Sequence, residues 1–160
     1  MAKRPQVGDI VEFKCPNGLV FAQMTHIHTR PPKYGQLLRV FPGFHEARPP
    51  NFAALANSRS QFMTFFPLGS AIVKGVATVI GNAPVPAGHC QMPLFRVMGM
   101  IDKHTKKAKS WSLWNGIDES KLTAPLTDLQ KSLPILEIVN DTTICERIAS
   151  GWHPAIDVHT

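Results

Sequence analysis

Apolar and polar residues alternate from Ile10 to Cys15, with Val11, Phe13 and Cys15 on one side and Ile10, Glu12 and Lys14 on the other. A period of two predicts a half-buried strand. Pro16-Asn17-Gly18 follows, and an Asn-Gly pair tolerates the positive φ of a tight turn, so Leu19 to His28 should fold back as a second strand. Arg30-Pro31-Pro32-Lys33-Tyr34-Gly35 is a loop, because proline offers no ladder donor, and Leu37 to Phe41 supplies a third strand. The result is a three-stranded meander.

Pro42 to Pro50 is irregular, after which Asn51 can cap a short helix with Phe52, Leu55 and Ala56 on one side, placed to plug the sheet. Gln61 to Phe66 and Val76 to Ile80 read as further strands, while Ala71-Ile72-Val73 suits either a strand or a helical turn. Asn82 to Pro93, rich in proline and glycine, reads as an ordered surface loop rather than a linker. Leu94 to Ile101 and Ser110 to Trp114 flank the lysine-rich segment from Asp102 to Lys109, which suits a solvated hairpin tip. Trp111 and Trp114 should point to opposite faces of their strand, one into the core and one toward a surface or pocket.

Pro125 to Leu133 places Leu126, Leu129 and Leu133 at helical spacing, and Ile135 to Val139 reads as a last short strand. A further helix, capped by Asn140-Asp141 or by Thr143 with Glu146, carries Ile144, Cys145, Ile148 and Ala149 as one stripe and ends at Gly151. These elements predict one α+β domain over residues 1–160. Its architecture is a twisted antiparallel sheet, or a partly open barrel-like meander, with two or three short helices.

A length of 160 residues agrees with a single core, and no apolar run approaches the roughly 18 residues of a membrane span. Met1-Ala2-Lys3-Arg4-Pro5 runs into Gly8-Asp9 without the apolar centre of a secretory signal, so a cytoplasmic location is expected. Cys15, Cys90 and Cys145 are odd in number and include no CxxC pair, and they read as reduced, mostly buried thiols. Charge is unevenly distributed within the net +6: residues 1–80 hold nine Lys/Arg against three Asp/Glu, residues 81–160 eight against eight. A basic first half can attract nucleic acid, an acidic protein or an anionic small molecule, or simply solvate a surface. Nucleic acid ranks third among the functional readings, because the basic residues do not interleave with exposed aromatics and a single tyrosine limits stacking platforms.

His26 and His28, two apart on a predicted strand, should share a face, as ligands of one metal must. The plainer alternative places them at the wet rim of the apolar face carrying Val20, Ala22 and Met24. Further ligands would have to come from His45, Glu46, Asp9 or Glu12. His89 and Cys90 are adjacent, but consecutive side chains of extended chain point apart, which argues against a thiolate and its base. Gly-x-Ser-x-Gly, a phosphate-cradling glycine loop and His-Glu-x-x-His are all missing from the sequence.

Val7-Gly8-Asp9-Ile10-Val11, Asn17-Gly18 and Phe21-Ala22-Gln23 resemble the opening of the bacterial immunity protein 26 family. Leu38-Arg39-Val40-Phe41, the region from Pro67 to Gly81, Trp111-Ser112-Leu113-Trp114-Asn115-Gly116 and Ile148-Ala149-Ser150-Gly151-Trp152-His153-Pro154 are similar to its branch named after the phosphotriesterase HocA. The likeness spans residues 7–154. It implies two functions of different class. One is hydrolysis of organophosphate triesters, such as insecticide oxons, by water activated on a divalent metal (zinc or manganese), for which His26, His28 and His45 are the ligands to test. Phe21, Phe41, Phe65 or Trp114 would then line an apolar pocket for the neutral ester. The other is an immunity protein that neutralises a cognate toxin by binding it, with no catalysis.

Overall fold

The computed structural model describes residues 3–160. Strands β1 (Asp9–Cys15), β2 (Gly18–His28) and β3 (Gly35–Val40) form the meander expected from the alternation and the Asn17-Gly18 turn. Strand β4 (Phe62–Phe66) adds beside β3 and β5 (Ala77–Asn82) beside β1, so one antiparallel sheet runs in the order β4-β3-β2-β1-β5. Between them stand α1 (Phe52–Ala56) and α2 (Leu68–Val73), the latter settling residues 71–73 as helix. Strands β6 (Phe95–Met98), β7 (Trp111–Trp114) and β8 (Glu119–Lys121) make a second antiparallel sheet. Helices α3 (Asp128–Lys131) and α4 (Asp141–Ser150) follow. The fold is α+β, with two open sheets and, among the described residues, four short α-helices.

Neither face of the large sheet is left to solvent at its centre. On one face Val11, Phe13, Val20, Ala22, Met24, Leu38 and Val40 meet Leu68 and Ala71 of α2 and Ile144 and Ile148 of α4. The other face is divided. Ile10 packs against Ala56 and the flanking Phe52 and Leu55, so α1 plugs the sheet as its sequence implied. Leu37 and Phe65 pack against Phe95 and Trp114 of the second sheet. β1 is therefore buried on both sides as far as Phe13, where its alternation had suggested one wet face. Glu12, interior on that account, is held by a bidentate pair with Arg48 at 2.7 and 3.2 Å.

One residue divides β2 between these cores. Met24 pairs with Leu38 and His26 with Leu37, so Thr25 is an extra residue with no partner on β3. A β-bulge of this kind shifts the side-chain alternation by one place. Val20, Ala22 and Met24 consequently face α4, while His26 and His28 turn to the face of Leu37 and the second sheet. The expected grouping of the histidines with Val20, Ala22 and Met24 is thus corrected.

The two sheets are stitched at their edges by residues 134–139. Val139 N–H donates to the Phe65 carbonyl at 3.1 Å, and Leu136 N–H to that of Arg96 at 2.9 Å. Only isolated bridges form here, in place of the predicted strand. Two fully buried arginines bind the remaining loops. Arg39 donates to the carbonyls of Ala56 (2.7 Å) and Ser58 (2.9 Å), and Arg96 to those of Leu133 (3.3 Å) and Pro154. Burial lowers the pKa of both guanidiniums; Asp157 and Glu137 partly oppose the shift at Arg96.

Three further expectations change. The helix around Leu129 shrinks to one turn closed by a Thr127–Gln130 capping box, and Leu129 is 78% exposed, so its leucine spacing marks no core stripe. β8 escapes the sequence because Glu119-Ser120-Lys121 carries no apolar residue. Cys15 and Cys145 are joined in a disulfide across 130 residues, because α4 docks on the end of β1; only Cys90 is free, and it is exposed. Closing so long a loop restricts the unfolded chain strongly. Cys145→Ser should therefore lower unfolding free energy in denaturant titration by about 2–5 kcal/mol. A reductant should bring the unmodified protein to the same midpoint.

Candidate functional site at His28

The bulge delivers His28 to a cleft of about 490 Å³ where the end of β2, the 29–34 loop, β7 and the turn after it converge. Its walls are Tyr34, Val97, Trp114 and Leu136, with Pro31, Pro32, Ile117, Arg30 and Glu119 around the mouth. The His28 ring stands 5.0 Å from Trp114, edge to face, 5.4 Å from Tyr34 and 6.3 Å from Phe65. Tyr34 is the one inward residue of an otherwise exposed loop whose Pro31–Pro32 peptide is cis.

His28 is only 7% exposed, and its two ring nitrogens differ. Nε2 lies 3.3 Å from the Gly116 carbonyl. A carbonyl only accepts, so this bond assigns the hydrogen to Nε2 and, in the neutral ring, leaves a lone pair on Nδ1. Nδ1 is buried and has no hydrogen-bond partner. Unpaired buried polar atoms are uncommon and costly in native proteins. Here the atom is closed off among the rings of Tyr34, Phe65 and Trp114, so a hydroxyl, an amine or water reaches its lone pair only when one of these rings moves.

The three proposed metal ligands do not converge. His26 and His28 share a face, as their spacing requires, but point to different loops: His26 Nε2 meets the Cys90 carbonyl at 2.9 Å and its Nδ1 the Thr25 hydroxyl at 2.9 Å. His45 is bridged to Leu19 at the far end of β2, seven residues or roughly 20 Å from His26, with its ring against Phe21. Asp9 accepts from Gln6 N–H and Asn82, and Glu12 is paired with Arg48. Among the described residues no group of three or more His, Cys, Asp or Glu side chains could hold a metal. The side chains present do not fit a zinc or manganese centre at His26, His28 and His45.

Of the suggested pocket liners, Trp114 lines the cleft and Phe65 backs it; Phe41 lies under Arg39 and Phe21 against His45. Cys90 Sγ donates to the carbonyls of Val85 and Pro86. Burial, with help from the nearby Arg39 charge, pushes His89 below the usual imidazole value. Sequence reading missed Tyr34 and Arg30, although a lone tyrosine beside a Pro-Pro pair was a visible signal. Comparison with family models, curated proteins and solved structures returns no match. The likeness to the immunity protein 26 family rests on the quoted motifs alone.

If the histidines are not metal ligands, adding zinc or manganese should leave the melting temperature unchanged and show no saturable site by titration calorimetry. A saturable site lost in His26→Ala would restore the metal reading.

Proposed function

We propose that the His28 cleft binds a small, largely apolar ester and that the protein hydrolyses it with His28 as general base, a phosphotriester being the substrate class suggested by the family resemblance. The observation that carries this reading is the unpartnered Nδ1 among Tyr34, Trp114 and Phe65. Aromatic walls at Tyr34 and Trp114 offer apolar contact to the organic groups of a neutral triester, while Arg30 and Glu119 make the rest of the lining polar.

Tyr34, the one ring of the three carried on a loop, moves to admit substrate and water. Water's oxygen then bonds to phosphorus as its proton passes to Nδ1. The bond from phosphorus to the aryl oxygen breaks, and its electron pair leaves as phenolate. Arg30 at the mouth offsets charge developing on the phosphoryl oxygen. Gly116, holding Nε2–H, fixes the ring so that Nδ1 faces the reacting water. No step requires a metal held by His26 and His45.

The described residues include no helix long and apolar enough to cross a membrane. Within this proposal, the Cys15–Cys145 bond favours an oxidising compartment over the cytoplasm expected from the sequence. The immunity reading needs no residue of the cleft and draws its support from the groove lined by Lys109, Lys121 and Lys131.

Purified protein assayed against diethyl para-nitrophenyl phosphate should release para-nitrophenolate without added metal. His28→Phe should lose roughly 100-fold or more of the rate. The same variant removes the unpaired nitrogen but also the donor to the Gly116 carbonyl, so it should cost about 1–3 kcal/mol of stability and still fold. Absence of turnover, or turnover that survives His28→Phe, contradicts the proposal.

A further inference from the structure

Three lysines of the second half of the chain, Lys109, Lys121 and Lys131, meet around one groove beside the small sheet. A groove of about 840 Å³ runs between the hairpin joining β6 to β7 and the segment following β8. Lys109, Lys121 and Lys131 line it, with Trp111, Leu122 and Leu126 among its apolar residues, and no Asp or Glu side chain contributes. Beneath Trp111 the buried Arg96 guanidinium lies 4.5 Å from the ring, bonded to carbonyls and to the Thr160 hydroxyl. Lys103, Lys106 and Lys107 are exposed on the adjoining hairpin tip, which also carries Asp102.

That tip is shaped in advance. Asp102 Oδ1 accepts from the N–H groups of His104 and Thr105, both at 2.9 Å, and Ala108 N–H donates to the His159 carbonyl at 3.0 Å. The hydrogen bonds of Asp102 hold its carboxyl below the usual carboxylate range. A pre-formed cationic wall lowers the ordering cost of binding.

From this geometry we infer that the groove docks an acidic segment of a partner protein, its carboxylates meeting Lys109, Lys121 and Lys131 and its apolar side chains covering Leu122, Leu126 and the edge of Trp111. Charge complementarity selects the occupant: three lysines line the walls with no Asp or Glu side chain among them, and apolar side chains lie between. A nucleic acid is a poorer fit, because Trp111 is buried with Arg96 against its ring and offers no free face for a base. The inference goes beyond the hydrolase reading and does not depend on it.

The probe is a fluorescein-labelled peptide of alternating Glu and Leu, titrated by anisotropy at physiological salt into the unmodified protein and two triple variants. Lys109→Glu/Lys121→Glu/Lys131→Glu reverses the groove, and Lys14→Glu/Lys33→Glu/Lys74→Glu makes the same change of net charge elsewhere. Both should melt near the unmodified protein. The groove variant should bind the peptide about tenfold or more weakly, and the control within about threefold of the unmodified protein. Equal weakening in both variants, no binding at all, or tighter binding of a single-stranded DNA oligonucleotide that is lost in the groove variant would each overturn the inference. Phosphotriester turnover in the groove variant separates this outcome from the fate of the hydrolase proposal, since the His28 cleft keeps all its residues.

Discussion

The site depends on the bulge at Thr25. Without the extra residue, β2 would keep one alternation from Val20 to His28 and bury two imidazoles in the aliphatic core beneath α4. With it, one strand serves two cores, and the polar pair faces the seam where the second sheet docks. Residues 134–139 hold that seam, bridging β4 to β6, while Phe65, Phe95 and Trp114 pack across it. Moving the register by one residue would exchange every side chain downstream, so the cleft is tied to the same constraint as the core.

Much of the local structure was legible because its causes are local. The Asn17-Gly18 turn, the Asn51 and Asn140 caps and the Gly151 stop, with φ +67°, each follow from residues within a few positions. The opposite-facing tryptophans likewise follow from the strand period, one entering the seam and one flooring the groove. What escaped was decided by distant chain. The bulge is fixed by pairing with β3, the disulfide by docking of α4 on β1, and the burial of Glu12 by an arginine 36 residues away. His26 and His28 were correctly placed on one face, but nothing in their spacing said that their nitrogens would turn to separate carbonyls.

Charge shows the same difference between counting and placement. The basic excess lies in residues 1–80, yet Arg39 there is engaged with interior carbonyls and Arg48 with Glu12. The second half is neutral by count, but Lys109, Lys121 and Lys131 share a groove that its acidic side chains do not line. The molecule thus presents two separate surfaces, an aromatic-walled cleft of mixed polarity beside one unpaired nitrogen and a lysine-lined groove beside the small sheet. A hydrolase acting on a neutral ester needs the first, and a binding protein needs the second.

The central claim is that His28 offers a free Nδ1 lone pair inside the cleft. Nitrogen NMR of the imidazoles, with and without para-nitrophenol as a hydroxyl donor, tests it most directly. An Nε2-protonated tautomer is expected for His28, with an Nδ1 resonance that moves as the phenol is added, while His26 and His45 stay unchanged. An Nδ1-protonated tautomer, or an Nδ1 resonance indifferent to the phenol, would contradict it.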